Sequence, residues 1–277
     1  MTIGLQRLER SRGELRLEFK RRGPQSVLAG LYQDGCLKAR MPRVRGGVPE
    51  AICINTSGGV TDGDALRTTV TCHAGASAVV SGQAAECVYR SRGEAGQIIA
   101  TLILQDRAML AWLPQETILF DGGRLIRSID VHLCESASLF AVESTILGRT
   151  AMGERVSSGS FSERWRINVD GQLAYVDSFA LEATDIAEQS ARATVLDGRL
   201  AFATAIYVGR DAVEVLDCIR ALDEPPDCLI GASCMGNIVM ARLAGTTGQA
   251  LRAVMQTVVG AVTGRFEDVC IPKVWML

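Results

Sequence analysis

The sequence predicts a mainly β protein, with stacked β-hairpins in a layered or β-helix-like body and two α-helices toward the C-terminus. Short strand pairs recur at intervals of about 30 residues, which is typical of a repeat architecture. The turns between them fall near Gly75, Asp106-Arg107, Glu135-Ser136, Asp170-Gly171 and Asp197-Gly198. Only two stretches have helical periodicity, so strands dominate the prediction.

The N-terminal part reads as strands and turns. Residues 15–19 alternate apolar and charged side chains, as a half-buried strand does. Residues 20–23 form a basic turn before Pro24, and residues 28–37 contain Asp34-Gly35, a type I′ hairpin signal. Residues 42–49 are basic and rich in Gly and Pro, which predicts a mobile loop.

The middle of the chain carries the repeat. Residues 66–72 and 76–81 form its first strand pair, and Asp121-Gly122 marks a further turn. Two outgoing strands alternate cleanly, one through Ile129, Val131 and Leu133 and the other through Trp165, Ile167 and Val169. This pattern predicts a layered or solenoid-like β structure; unrelated ordinary hairpins are the alternative.

The C-terminal part contains the two predicted helices. Residues 211–222 and 251–262 place apolar side chains on one face, and Pro225-Pro226 ends the first helix. Residues 238–243 form a strand between them. We therefore expect a single domain over residues 1–277, with the β body over about 1–210 and the helix-containing part over about 211–277.

Composition excludes several classes of function. The chain has 277 residues, a formal net charge of −2, 48% hydrophobic and 22% charged residues. This charge offers no electrostatic basis for nucleic-acid binding. The N-terminus is too charged for a signal peptide, and no apolar run approaches the ~20 residues that span a bilayer. We expect a cytoplasmic protein without a membrane partner.

Cysteine and histidine usage argues against an enzyme. The nine cysteines contain no C-x-x-C pair, and their odd number indicates reduced thiols in the cytoplasm. His73 and His132 are the only histidines, so a histidine-built metal site or catalytic triad is not expected. No G-x-S-x-G motif is present.

Residues 55–64, the motif loop, form the most distinctive local pattern. It combines glycines that permit unusual backbone angles with acidic and amide side chains, namely Asn55, Gly58, Gly59, Asp62, Gly63 and Asp64. No Gly-Lys-Ser/Thr follows, so it is not a phosphate loop, and it lacks EF-hand spacing. It is either a well-formed turn or a loop that presents two carboxylates.

Several segments resemble the UreD family of urease accessory proteins, called UreH in some systems. The motif loop resembles that family's glycine-aspartate loop, and Trp112-Leu-Pro-Gln-Glu-Thr-Ile-Leu-Phe-Asp-Gly122 matches its most recognisable motif. Further similar segments are Gln83–Ser91 with Tyr89-Arg90, Leu147–Glu154, Gly231–Ser233, Arg242-Leu243 and Pro272–Trp275. Lys273 departs from the pattern, since arginine is usual there.

The resemblance implies a function. Proteins of this family are cytoplasmic, mainly β, and bind urease apoprotein and the accessory protein UreF, which recruits the GTPase UreG carrying nickel. The assembly inserts nickel into urease. The resemblance thus implies a scaffold that is not an enzyme, with no tightly bound cofactor or metal and with Ni²⁺ present only in transit.

Weak, exchangeable ligands suit such transit, and carboxylates provide them better than clustered imidazole or thiolate. The candidate conduit acids are Asp62, Asp64, Glu86, Glu116, Asp121, Glu143 and Glu154. The candidate partner contacts are Tyr89, Arg90, Trp112, Arg149 and Trp275. The alternatives are a metal-dependent hydrolase using Asp62 and Asp64, and a β-solenoid interaction module unrelated to nickel.

Overall fold

The computed structural model describes residues 10–43, 47–149, 152–183, 186–266, 269 and 271–276. Residues 44–46 of the predicted mobile loop lie outside this part of the chain.

The described residues form two β-sheets and three α-helices. The strands in chain order are β1 Arg12–Arg22, β2 Gln25–Gly35, β3 Leu37–Arg40, β4 Glu50–Asn55, β5 Ala65–Cys72, β6 Ser77–Gly82, β7 Glu86–Val88, β8 Gly96–Leu104, β9 Met109–Leu113, β10 Thr117–Leu119, β11 Arg124–Leu133, β12 Ser138–Leu147, β13 Gly159–Val169, β14 Gln172–Ala183, β15 Ala201–Val208, β16 Cys228–Met235 and β17 Ile238–Gly245. The helices are α1 Ile186–Ala191, α2 Ala212–Arg220 and α3 Gly248–Thr263, and a 3-10 turn spans Lys273–Trp275.

The two sheets face each other. Sheet A has the order β14-β13-β11-β8-β5-β1-β2, and sheet B has the order β16-β17-β15-β12-β9-β6-β4-β3. The short strands β7 and β10 extend sheet B beside β12, because β10 pairs with both β7 and β12.

The central strands wind as a solenoid. In sheet A, β5, β8, β11 and β13 pair in parallel, and in sheet B, β6, β9 and β12 do the same. Each strand–turn–strand unit therefore crosses from one sheet to the other, and successive units stack. Left-handed backbone angles at Gly75 and Arg107 make the sharp turns between the sheets, and one at Asp170 makes the turn of the β13–β14 hairpin within sheet A. The prediction of a mainly β, solenoid-like body is confirmed.

Some local predictions were wrong. Asp34-Gly35 does not close a hairpin, because β2 lies in sheet A and β3 in sheet B; Gly35, with φ of +56°, turns the corner between them. The hairpin lies one turn earlier, where β1 and β2 pair around Gly23. Helix α1 and strand β16 were not predicted. Strand β16 pairs with β17, the predicted strand between the two helices, and forms the edge of sheet B.

The hydrophobic core has two layers. The first lies between the sheets and contains large buried side chains such as Phe19, Phe161 and Trp165. The second lies between the outer face of sheet B and the helices, where Met109 and Phe140 belong to the same buried cluster as Val258 and Val259 of α3. Both predicted helices are confirmed, and their apolar faces pack inward. Within the described residues, none of the helices combines the length and apolar character needed to cross a membrane.

Candidate functional site

A cavity of about 320 Å³ lies between the sheets, at the side where β7 and β10 run. Both sheets contribute to its wall, through Leu66 of sheet A and Cys53 of sheet B, for example. Its carboxylates are Glu86 and Glu143. The cavity therefore brings together two of the seven candidate conduit acids.

Glu86 is the first residue of a row of polar side chains on three paired strands. Strands β7, β10 and β12 pair in parallel, which places Glu86, Thr117 and Thr145 in one register row. In the described part of the chain, the Glu86 carboxylate has one hydrogen-bond partner, Asn55 Nδ2 at 2.9 Å, and no ion pair. Burial raises the pKa of Glu86 to about 7, although the bond from Asn55 acts in the opposite direction.

Behind this row lies the central ion cluster, formed by Arg127, Glu143 and Glu163. Arg127 is 2% exposed and contacts Glu143 Oε2 through Nη1 at 3.0 Å and Glu163 Oε2 through Nε at 2.8 Å. Its remaining N–H groups donate to the hydroxyls of Thr117 and Thr145, each at 2.9 Å. A buried guanidinium with all its donors engaged is electrostatically stabilised.

Two tryptophans complete the hydrogen bonding of this cluster. Trp112 Nε1 donates to Glu143 Oε1 at 2.9 Å, and Trp165 Nε1 donates to Glu163 Oε1 at 3.0 Å. Burial raises the pKa of Glu143, with Glu163 adding to the effect and Arg127 opposing it. Burial by itself would lower the pKa of Arg127, but the two glutamates raise it, so the guanidinium stays charged.

The cluster continues toward the opposite surface. Thr204 donates to Glu163 Oε1 at 3.3 Å and accepts from Arg242 Nη1 at 2.6 Å. Arg242 in turn pairs with Asp177 of β14. A continuous row of polar side chains thus crosses the interior from the cavity to the outer edge of sheet A.

The motif loop is held by its own side chains. Asn55 Oδ1 accepts from the backbone N–H of Ser57 at 3.0 Å, while its Nδ2 donates to the Gly59 carbonyl at 3.2 Å. Gly59 has a φ of +149°, and a Cβ there would lie 2.3 Å from the ring of Tyr89. The loop therefore requires glycine, both for its backbone angle and for its contact with Tyr89.

Asp62 and Asp64 are committed to backbone contacts. Asp64 is 4% exposed and accepts from the N–H groups of Ser11 at 2.7 Å and of Thr61 at 2.9 Å. Asp62 accepts from the N–H groups of Arg92 and Gly93, at 2.7 and 3.0 Å, and from the Ser91 hydroxyl. Partial burial would raise the pKa of Asp62, but these donors and Arg10 hold it below its ordinary value. Gly63, between the two, has a φ of +65°.

An open aromatic groove lies on the surface beside the loop, and it is lined by Tyr89, Arg90, Phe120, Asp121, Arg149, Glu154 and Arg155. The Arg149 guanidinium lies 4.4 Å from the centroid of the Phe120 ring, and Tyr89 packs edge-on against the same ring at 5.1 Å. Tyr89 is 42% exposed. Three of the candidate partner contacts, Tyr89, Arg90 and Arg149, therefore share one accessible surface.

The groove's acids are paired. Asp121 accepts from Arg90 at 2.5 Å and from the N–H of Ser157 at 2.9 Å, and Glu154 receives Arg149 through two bonds of 3.0 Å. The bond from Arg149 lowers the pKa of Glu154. Burial would raise the pKa of Asp121, but its donors lower it. Among the described residues, Asp121 and Glu154 thus line the groove and not the cavity.

Two of the predicted partner contacts need correction. Trp112 is 7% exposed and Trp275 is 3% exposed, so neither ring is available on the surface. Trp112 is held inside by Glu143, and Trp275 Nε1 donates to the Leu113 carbonyl at 2.9 Å. Glu116 lies close to Trp275 and pairs with Arg252 Nη1 at 2.8 Å.

The central cluster was missed at Arg127 and Glu163, although the sequence contains a signal for both. Arg127 takes an inward position of β11, in alternation with Leu125 and Ile129. Glu163 does the same in β13. A charged residue in phase with the apolar face of a clean strand indicates a buried ion pair. Among the described residues, no group of three or more His, Cys, Asp or Glu side chains is arranged to hold a metal ion.

Comparison with known proteins identifies the family. The family model described as "UreD urease accessory protein" matches residues 11–276. The chain is 37% identical to "Urease accessory protein UreD" of Chelativorans sp. (strain BNC1) over 98% of this chain and 95% of the relative. It is 38% identical to the protein of the same name from Sinorhizobium medicae (97% of each chain) and to "Urease accessory protein UreD 1" of Brucella abortus (99% and 96%). The chain therefore belongs to the UreD family of urease accessory proteins.

Proposed function

We propose that this chain is a urease maturation scaffold that binds urease apoprotein and, with UreF and the GTPase UreG, supports nickel insertion into urease. It is not itself an enzyme in this proposal, and nickel is its cargo. Family membership supports the role in urease maturation. The proposal adds two further statements to this role, namely which partners the chain binds and which path nickel takes through it.

The acidic cavity is the observation that carries the nickel step. Glu86 and Glu143 line one chamber inside the β body, and Arg127, a cation that also lines it, is shared between Glu143 and Glu163. The cavity wall is therefore electronegative when the glutamates are ionised. A divalent cation is attracted to such a wall, and few ligands hold it weakly enough to let it leave.

Glu86 is the best-placed first ligand. Its carboxylate has no cationic partner among the described residues, and its pKa of about 7 keeps it near half ionisation at neutral pH. Ni²⁺ binding would displace the proton and restore the charge balance of the cavity.

The test is co-expression of the chain with urease, UreF and UreG, followed by co-purification and metal analysis. We expect Glu86→Gln to lower the nickel content of urease severalfold while the variant still co-purifies with urease. Arg16→Gln is the control, at an exposed position of sheet A where Arg16 pairs with Glu14 and lies over the Tyr32 ring, away from the cavity. Unchanged nickel content in Glu86→Gln, with the complex intact, would contradict the cavity route.

The structure does not favour the hydrolase alternative. Asp62 and Asp64, its required ligands, accept hydrogen bonds from separate backbone segments and build the motif loop. An interaction module unrelated to nickel makes a different prediction from the scaffold. Deletion of the chain would then leave the nickel content of co-expressed urease unchanged.

A further inference from the structure

Sheet B is interrupted next to the cavity. Along β12, pairing with β9 covers residues 138–141 and pairing with β10 covers residues 145–147. Residues 142–144 thus have no ladder partner on that edge. Residues 114–116, which connect β9 to β10, form a loop at this position. Residues 83–85 form a second loop, which connects β6 to β7. We call this interruption, formed by residues 83–85 and 114–116, the sheet B break.

The break separates the cavity from a small pocket under α3. Gln115 lines the cavity, whereas its neighbour Glu116 lines the outer pocket. On β12, Glu143 lines the cavity and Ser144 lines the outer pocket. Successive strand residues point to opposite faces of a sheet, so Glu143 and Ser144 bracket the sheet at this spot, and the side chains of the loop residues Gln115 and Glu116 both accept from Arg252 beside it. The inner and outer polar groups are therefore separated by only one layer of backbone.

The C-terminal tail, residues 271–276, covers the outer side of the break. Trp275 Nε1 donates to the carbonyl of Leu113, and Gln115 Nε2 donates to the carbonyl of Val274 at 3.1 Å. Arg252 of α3 binds the same place, because its Nη2 donates to the Trp275 carbonyl at 3.1 Å. The tail is thus fastened to the two residues on either side of Pro114.

Arg252 also forms an ion pair with Glu116, the carboxylate of the outer pocket. Its Nη1 donates to Glu116 Oε2 and to Gln115 Oε1, both at 2.8 Å. The guanidinium lies 5.7 Å from the centroid of the Trp275 ring. Glu116 and Arg252 are about one-quarter exposed, at 23% and 24% of their side chains. One cation of the chain therefore closes the break and neutralises the carboxylate just outside it.

We propose that the sheet B break is the outlet of the cavity for a divalent cation, that Glu116 is the carboxylate receiving the cation there, and that Arg252 is the positioning residue that occupies Glu116 while the outlet is closed. The inference rests on the proposed function, since it assumes that the cavity carries nickel. Opening means that the tail and Arg252 leave Glu116, and that the cation takes the place of the guanidinium.

Electrostatic interactions explain why Arg252 and the cation would exclude each other from Glu116. A guanidinium beside the outlet repels a divalent cation, and it also occupies a carboxylate oxygen that the cation needs. Withdrawal of Arg252 removes the repulsion and releases the ligand in one step. The partly exposed ion pair contributes little by itself, so opening requires a partner whose contacts compensate for the hydrogen bonds from Arg252 to Gln115 and to the tail.

The test is a double-substitution cycle in the complete co-expressed complex, with nickel per urease measured at limiting nickel. We expect Glu116→Gln to lower nickel about five- to tenfold, because it removes the receiving ligand. Arg252→Gln frees Glu116 and removes the repelling guanidinium, so it should raise nickel at limiting nickel about twofold. The double variant should match Glu116→Gln. Arg265→Gln, which breaks the similar Arg265–Asp211 pair on the same layer, is the control and should have no effect.

A purely structural pair gives a different pattern. In that case Arg252→Gln and Glu116→Gln lower nickel equally, or neither does, and either result overturns the proposal. Glu116→Asp retains a carboxylate and should recover part of the nickel loading, which a packing role would not require. Every variant is scored only after it co-purifies with urease at the stoichiometry of the unsubstituted chain.

Two further comparisons test the proposal if Arg252→Gln does not fold, and they separate failure of the outlet from failure of the cavity route. If Arg252→Gln does not fold, Arg252→Met retains the aliphatic stem near Trp275 and takes its place. The Glu116→Gln variant leaves Arg252 and the tail in position and decides by itself whether the ligand is required. If Glu86→Gln lowers nickel but Glu116→Gln does not, the outlet is wrong and the cavity route stands. If neither lowers nickel, the route itself fails.

Discussion

At the scale of single residues, the interior combines charged groups in two different states. Arg127 is shared between two buried glutamates and has all its donors engaged, whereas Glu86 has an amide as its one described partner. The first arrangement is permanent, because separating it would leave charges without partners in a low-dielectric interior. The second can gain or lose a proton near neutral pH, which is the property that the proposed metal route requires. Position relative to other charges, rather than residue type, decides which carboxylate is available.

Glu86 should make stability depend on pH. Its folded-state pKa of about 7 lies above the ordinary value of 4.5, so the folded chain binds the proton more tightly than the unfolded chain. The favourable contribution is therefore complete at low pH and is lost as the pH rises through about 7. Glu86→Gln removes this loss. We compare the free energy of unfolding of Glu86→Gln with that of the unsubstituted chain at each pH. We expect this difference to shift in favour of Glu86→Gln by about 2 kcal/mol between pH 5 and pH 8.

Urea denaturation of the isolated chain at the two pH values measures this change. Glu14→Gln, at a partly exposed and ion-paired position of β1, is the control. Parallel pH profiles for Glu86→Gln and the unsubstituted chain would show that the carboxyl titrates at its ordinary pKa.

Arg127 should be the most sensitive charged position for stability. Arg127→Met leaves Glu143 and Glu163 buried without their cation and should cost about 3–5 kcal/mol. Adding Glu143→Gln and Glu163→Gln removes the unpaired charges and should restore a large part of that loss. Denaturant midpoints of the three chains measure both effects. A loss below about 1 kcal/mol for Arg127→Met alone would contradict the burial of an ionised cluster.

At the scale of elements, the functional groups lie where regular pairing stops. The motif loop joins β4 to β5, and the aromatic groove lies beside the turn that follows β10. The sheet B break lies between β6 and β7 and between β9 and β10. Regular strands use their backbone groups to pair with neighbours, so the interruptions are the places where side chains and partners gain access. The scaffold thus fixes the positions of loops that the pairing itself does not define.

The motif loop offers a matched pair of glycines. Gly59→Ala would place a Cβ 2.3 Å from the Tyr89 ring and 2.6 Å from the Cys87 carbonyl, so the loop would have to move. Gly58→Ala meets nothing within 4 Å and carries only the strain of a φ of +77°. We expect losses of about 1 kcal/mol for Gly58→Ala and clearly more, about 2–3 kcal/mol, for Gly59→Ala.

Thermal unfolding followed by circular dichroism measures the difference between the two glycine variants. Tyr89 fixes the interpretation, because its hydroxyl also donates to the Gly58 carbonyl at 2.9 Å. Equal losses for the two alanines would indicate that the ring does not pack on Gly59.

At the scale of the whole molecule, the last residues return to the middle of the body. Trp275 is 3% exposed and bonds to Leu113, which lies 162 positions earlier in the chain. The tail therefore connects α3, the strand β9 and the sheet B break into one unit. Stability of the helical layer and closure of the break are coupled through a single short segment.

Trp275 should accordingly contribute to global stability. Trp275→Ala removes a buried ring and its hydrogen bond and should cost about 3–5 kcal/mol. Met276→Ala alters the adjacent side chain, which is 67% exposed, and should stay within about 0.5 kcal/mol. Denaturant unfolding of both variants makes the comparison. A small loss for Trp275→Ala would mean that the tail is not docked in solution.

Much of the fold was predictable from local patterns, and much of the site was not. Alternation in residues 129–133, turn glycines and helical spacing in residues 251–262 determined the strands, the turns and α3, because these depend on neighbours close in the chain. The family motifs likewise directed attention to Glu86, Glu116 and Glu143. The sequence by itself did not distinguish Asp62 and Asp64, which build a loop, from the acids that line the cavity.

The tertiary structure decided which distant residues meet. The stacking of coils brings Arg127 to Glu143 and Glu163 and buries Trp112. The return of the tail brings Arg252 and Trp275 to the break and closes it. Such contacts join residues from 16 to 162 positions apart. Burial and pKa depend on the summed surroundings of a group, and no local pattern specifies those surroundings. The sequence therefore determined the elements and the family, whereas three-dimensional packing determined the chemistry of the interior.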